Sequence, residues 1–205
     1  MNHACLLIVF AKAPVPGYAK TRLARSIGVE AAASLAGAML AHTLARAVSS
    51  GIGPVELYCA PDTSHPAFQA AAAGAAISLA EQGAGDLGAR MARAFARGLG
   101  DYGRVVLIGT DAPMLDASVL RAAAGALASH DVVIAPAFDG GYALVGLSRN
   151  VQEIFQDIEW SSPRVMAQTR NRIALMGMSL HELPALHDID EPEDLVHLPS
   201  GWLAS

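Results

Sequence analysis

The sequence predicts an α/β fold in which a mostly parallel sheet is covered by helices on both faces. Short apolar runs of strand length alternate with longer alanine-rich stretches of good helix formers. Gly, Pro and Asp separate most of these segments, and no linker, low-complexity block or internal repeat divides the chain. Strands that alternate with helices in this way are expected to pair in parallel within one layer. At 205 residues the chain is read as one domain, 1–205, with a full core.

The expected strands are Cys5–Phe10, Val55–Cys59, Ile77–Ala80, Val105–Ile108, Val132–Ala135, Tyr142–Leu147 and Ser179–Leu183. Helices are expected at about Glu30–Val48, Leu87–Leu99, Ala117–Ser129 and Pro163–Leu175. The alanine-rich stretch Gln69–Ala76 also has helix-forming composition.

Composition narrows the function classes. Hydrophobic residues make up 53% and charged residues 16%, which excludes global disorder. No apolar stretch is expected to reach the roughly 20 residues of a bilayer span, and the run Ala4–Ala11 ends at Lys12 without a basic segment before it. The reading is a cytoplasmic protein with no membrane partner. Cys5 and Cys59 sit in strand-like runs and read as reduced core residues. The seven histidines show no paired ligand spacing, so zinc is not expected. With a net charge of −5 and no basic run, no nucleic-acid partner is expected. Twelve arginines contrast with two lysines, Lys12 and Lys20, and both lysines flank one short loop. A lysine offers a compact point charge on a flexible stem, suited to phosphate oxygens.

Ligands of parallel α/β sheets bind beyond the carboxyl ends of the strands, so the loops that follow strands are the informative ones. In Ala11–Leu23, Pro14, Pro16 and Gly17 forbid a regular helix. Lys12, Lys20 and Arg22 bring positive charge together there, and Thr21 is placed to cap the next helix. The loop reads either as a phosphate site or as a solvated basic connection. In Gly109–Pro113, Asp111 lies just past a strand end. It is either a ligand for a hard divalent cation or a turn aspartate bonded to its own backbone. Gly109 and Thr110 share that loop.

In Phe138–Tyr142, Asp139 and Gly140 match the preferred two-residue hairpin turn, and Gly141 would allow close backbone approach to a ligand. By spacing alone the turn reading is favoured. In His187–Leu195, Asp190 with Glu193 and Pro192 reads as a helix start, which leaves Asp188 spare as a second metal ligand. Gln82–Met91 presents Gln82, Asp86, Gly88 and Arg90 either to a nucleobase or ribose or simply as the turn into a helix. Ser161 or Ser162 is expected to cap the following helix, and Trp160 is read as core or as a ligand platform.

In order, FAKAPVPGYAKTRL, QGAGDLGARM, VVLIGTDAPML, APAFDGGYALVGL and DIDEPEDL resemble the DUF2064 family of glycosyltransferase-like proteins, in the nucleotide-diphospho-sugar transferase (GT-A) superfamily. The resemblance runs from Phe10 to Leu195 and implies a three-layer α/β/α fold with a mixed sheet. It implies that Lys12, Lys20 and Arg22 bind phosphate, and that Ala11, Pro14, Gly17 and Thr21 shape their loop. It implies that Asp111 is the principal ligand of a divalent metal (Mg or Mn), with Asp188 the second. Asp139, Gly140, Gly141 and Tyr142 resemble the acceptor-side loop. Two departures stand out: a proline-containing loop replaces the usual glycine-rich GxGxR loop, and Asp111 is followed by Ala112 and Pro113 rather than by a second aspartate. The function implied is a metal-dependent transferase with a nucleotide or nucleotide-sugar donor and a small acceptor. Nucleotidyl transfer to a phosphorylated acceptor and a non-catalytic nucleotide-binding role are the alternatives.

Overall fold

The computed structural model describes residues 5–74, 76–199 and 202. Seven strands form one sheet: β1 (Cys5–Lys12), β2 (Val55–Ala60), β3 (Ile77–Glu81), β4 (Arg104–Ile108), β5 (Val132–Pro136), β6 (Tyr142–Leu147) and β7 (Leu180–Glu182). Their order is β3-β2-β1-β4-β6-β5-β7. β6 runs antiparallel to both β4 and β5, and the other pairings are parallel. The sheet is therefore mixed and mostly parallel, as expected.

The helices are α1 (Ala24–Ile27), α2 (Val29–Ser50), α3 (Pro66–Gly74), α4 (Leu87–Asp101), α5 (Ala117–Ala126) and α6 (Val165–Leu175). Of these, α1 lies outside the expected helices, and α3 overlaps the alanine-rich stretch Gln69–Ala76 whose composition favours a helix. The four-residue α1 is too short for a periodic signal. In α3, Phe68 supplies the buried contact and most of the remaining residues are small.

Alternation along β1 distributes the core. Leu7, Val9 and Ala11 face the layer holding α2 and α5, where they meet Leu40, Leu44 and Leu120. Leu6, Ile8 and Phe10 face the other layer, against Phe95 of α4 and Met166 of α6. A central parallel strand is apolar on successive residues because both of its faces are covered.

The expectation that no segment is long and apolar enough for a membrane does not hold by composition. The 22-residue α2 reaches a mean hydropathy of 1.2 over an 18-residue window. Alanine raises the average while leaving the surface thinly apolar. Its large side chains, Leu35, Met39, Leu40 and Leu44, are buried in the fold.

A third apolar cluster joins Leu23, Leu35 and Met39 to Ile189, with Leu195, Leu198 and Trp202 packed around them. It seats the C-terminal segment against α1 and α2, beside the ends of β1 and β4. Asp190 is not the cap of the turn that follows. The 3-10 turn Pro192–His197 starts from Glu191, and the Asp194 carboxylate accepts the N–H groups of Asp190 and Glu191 at 2.9 and 2.7 Å. The pattern was displaced by one residue, and this leaves the Asp190 side chain available for the crevice.

Ile8 is fully buried in a central strand. Truncation to alanine is expected to cost about 2–5 kcal/mol by denaturant unfolding, with the m-value unchanged.

Candidate active site

The loops after β1, β3, β4 and β5 open onto one cavity of about 840 Å³, within the range of roughly 300–1,000 Å³ usual for small-molecule sites. Of the residues singled out in the sequence, Ala11, Lys12, Lys20, Thr21, Arg22, Gln82, Arg90, Gly109, Thr110, Asp111, Asp139, Gly141, Tyr142, Trp160 and Asp188 line it. Pro14, Gly17, Asp86, Gly88 and Gly140 do not.

The basic loop is built differently from its expectation. Lys20 and Arg22 are already paired with carboxylates. The Lys20 ammonium bonds Asp111 Oδ1 and donates to the Ile189 carbonyl oxygen at 2.6 Å, with Asp190 Oδ1 at 3.9 Å. Arg22 pairs with Asp190 at 2.9 Å and Glu191 at 3.3 Å. Lys12, at the carboxyl end of β1, is exposed and makes no ion pair among the described residues. Thr21 does not cap α1, whose N-cap position is Leu23 and carries no side-chain cap. Pro14 packs near Gly37 of α2, and Gly17 turns the chain at φ 76.

The acidic side gathers from three loops. Asp111 follows β4, and its carbonyl oxygen accepts the Ile189 N–H at 2.8 Å, which sets the C-terminal segment alongside. Asp188 is pushed up to about 6, first by burial and then by the carboxylates of Asp139, Asp194 and Asp111. Asp111, Asp139 and Asp188 thus face one another across the cavity. Asp188 and Asp111 offer hard oxygen donors of the kind a divalent cation takes, although among the described residues no three acidic, His or Cys side chains form a complete metal cluster. The donor set fits a cation that completes its shell with water and phosphate oxygens.

Asp139 lines the cavity and makes the turn, its carboxylate accepting the Gly141 N–H at 2.7 Å. The turn is longer than the two-residue form expected, since Ala137 N–H closes it on the Gly141 carbonyl oxygen. The glycine that the backbone requires is Gly140, at φ 92, where a Cβ would lie 2.3 Å from the Pro163 carbonyl oxygen. Gly141 leaves room for Asp139, whose Oδ1 would be 3.1 Å from a Cβ there.

Gln82 is buried, and its amide donates to the carbonyl oxygens of Ala11 and Tyr58, both at 3.0 Å. It therefore ties strand ends together. Arg90 donates to the Gly85 carbonyl oxygen at 2.9 Å, and Arg93, which the sequence reading passed over, donates to the Gln82 and Ala84 carbonyl oxygens. Together they hold the loop rigid. Asp86 caps α4 through the Ala89 N–H at 2.8 Å. Gly88 admits the Trp160 indole, which a Cβ would meet at 2.7 Å. Trp160 also packs edge-on against Tyr142 and forms part of the cavity wall. Neither Ser161 nor Ser162 caps α6, which starts after Arg164. Ser162 instead donates to the Glu159 carbonyl oxygen at 2.7 Å.

The residues the sequence reading missed are Asp190 and Glu191. Their signal was the alternating DIDE run opposite a lysine and an arginine, which a cap assignment absorbed.

Two outcomes follow from this geometry. Gly140→Ala is expected to destabilise the fold by about 1–3 kcal/mol in thermal unfolding, because the left-handed backbone and the Pro163 contact both exclude a side chain. Asp188 has a folded pKa raised from 3.8 to about 6. Its contribution is fully present below the unfolded value and is lost as pH rises through about 6, so the ionised group opposes folding near neutrality. Asp188→Asn in chelator should therefore melt higher than the unsubstituted protein at neutral pH. That advantage should vanish on acidification towards about pH 4.

The fold and the site place the chain among known proteins. Residues 43–162 match the family described as an uncharacterized protein conserved in bacteria (DUF2064). The 3-phospho-D-glycerate guanylyltransferase of Phenylobacterium zucineum (strain HLK1) is 33% identical over 187 residues, covering 89% of this chain and 85% of that protein. A structure assigned as a nucleotide-diphospho-sugar transferase, from Desulfovibrio desulfuricans G20, matches with a TM-score of 0.87 at 30% identity, over 100% of this chain and 92% of that one. Rv0371c from Mycobacterium tuberculosis H37Rv, in complex with manganese, shares the fold at a TM-score of 0.56 and 16% identity, over 100% of both chains. With a match that runs from β2 to β6 through the β3–α4 loop and the acidic β4 and β5–β6 loops, the chain belongs to the DUF2064 family.

Proposed function

We propose that the protein is a nucleotidyltransferase that moves a nucleoside monophosphate, guanylyl by similarity to the 33%-identical relative, from a triphosphate donor to a small phosphorylated acceptor. The observation that carries this reading is the opposition of charges in one cavity: Lys12, Lys20 and Arg22 on the β1 loop face Asp111, Asp139 and Asp188. Phosphoryl chemistry needs positioning and charge stabilisation more than a protein nucleophile.

In this reading an oxygen of the acceptor phosphate attacks the α-phosphorus. The bond from that phosphorus to the α–β bridging oxygen breaks, and its electron pair leaves with pyrophosphate. Lys12, without an ion pair among the described residues, receives the β- and γ-phosphates at the end of β1. Arg22 lines the same cavity. The base rests against the loop 82–86 that Arg90 and Arg93 hold rigid. The acceptor occupies the side walled by Asp139, Tyr142 and Trp160. Asp111 and Asp188 would hold a divalent cation, Mg or Mn, which supplies Lewis-acid stabilisation of the phosphates.

The 30%-identical structure keeps a second reading in view, glycosyl transfer from a nucleotide sugar with Asp139 as base toward an acceptor hydroxyl. The products separate the two. Incubation with GTP and 3-phosphoglycerate is expected to release pyrophosphate, and Asp111→Asn should lower that rate by at least about 100-fold. Release of a nucleoside diphosphate from a nucleotide sugar, with no pyrophosphate from any triphosphate, would establish the glycosyl reading instead.

A further inference from the structure

Lys20 is a cation lodged where the site calls for one. Its side chain is 6% exposed although it belongs to a cavity wall. Lysines are rarely buried to this degree unless paired, and φ 49 at Lys20 is a backbone region that side chains disfavour. The loop thus holds its ammonium against Asp111, the Ile189 carbonyl oxygen and, at longer range, Asp190. All three acceptors are oxygens, the donor type a hard cation takes. Lys12, on the same cavity, has no such contact.

A divalent ion approaching Asp111 and Asp188 without a nucleotide therefore meets a unit positive charge bonded to one of its two carboxylates. We propose that Lys20 is an internal counter-ion of the carboxylate site, displaced by the polyphosphate of the incoming nucleotide, so that metal binds together with nucleotide and weakly before it. This deepens the nucleotidyl-transfer reading and rests on it. Phosphate oxygens supply the exchange: they accept the ammonium as it leaves Asp111, and they complete the shell of the metal that takes its place. Idle metal binding is suppressed, and the acidic cluster keeps part of its charge compensated while the cavity is empty.

The test is Mn(II) titration, read by electron paramagnetic resonance of the free ion, with and without a non-hydrolysable GTP analogue. Lys20→Met and Lys20→Gln are compared with the unsubstituted protein, and melting curves establish that each is folded. The glutamine variant retains a donor for the Ile189 carbonyl oxygen and carries the test if the methionine variant does not fold. Nucleotide-free Mn(II) binding is expected to tighten about tenfold or more in the Lys20 variants. Lys12→Met, which removes a charge without touching Asp111, should leave it within about twofold.

Folded Lys20 variants that bind Mn(II) no more tightly than the unsubstituted protein would overturn the proposal. Equal tightening in Lys12→Met would do the same, as would an affinity in the unsubstituted protein that the analogue, once shown to bind, does not change. Absence of analogue binding in every protein, metal present, counts against the nucleotidyl reading, while the nucleotide-free comparison still decides the role of Lys20.

Discussion

The contact of Lys20 with Asp111 and the Ile189 carbonyl oxygen joins residues 91 and 169 positions apart in the chain. It closes the β1 loop, the β4 loop and the C-terminal segment onto one another, and the remainder of the crevice is arranged around that junction. Arg22 extends it through Asp190 and Glu191. The apolar cluster of Leu23, Leu35, Met39 and Ile189 lies directly beneath it. An ion pair between exposed groups stabilises little, whereas a buried one depends on full satisfaction of its partners. Here the lysine is buried and Asp111 is half exposed, so the pair ties the loops together while leaving the carboxylate open to the cavity.

The acidic residues carry a matching tension. Three loops deliver Asp111, Asp139 and Asp188 to one cavity, and burial together with its neighbours raises Asp188 well above the usual carboxylate range. Such a cluster stores unfavourable charge that a cation relieves, a common arrangement at functional sites. The basic and acidic halves are therefore one electrostatic device. Each half offsets the other, and in the proposed reaction each would find an alternative partner in a metal–nucleotide complex.

Much of this was legible in the sequence. The strands were found because their apolar runs are short and bounded by Gly, Pro and Asp, and the mixed sheet followed from the family resemblance. The lysine-flanked loop and Asp111 stood out because they follow buried strands, Asp188 because the adjacent helix start did not need it, and Asp139, which spacing alone assigned to a turn, mainly through the family resemblance. What misled the reading was local chemistry with two solutions. Asp190 fits a helix cap by spacing, yet the chain starts its turn from Glu191 and sends Asp190 to Arg22. Gln82 was a candidate for base recognition, but its amide is spent on the carbonyl oxygens of Ala11 and Tyr58, contacts between residues remote in sequence.

By itself the amino-acid order determined which segments are strands and helices, which loops carry charge, and that these loops follow strands. Those properties depend on periodicity, on backbone preference and on composition over a few residues. Only the tertiary structure decided which charges meet: that Lys20 lies on Asp111 while Lys12 has no ion pair among the described residues, and that Asp139 both turns the chain and lines the cavity with Asp188. Pairing between charges depends on distance in space. That distance is set by the packing of β1 between β2 and β4 and by the seating of Ile189 on α2, which no local pattern encodes.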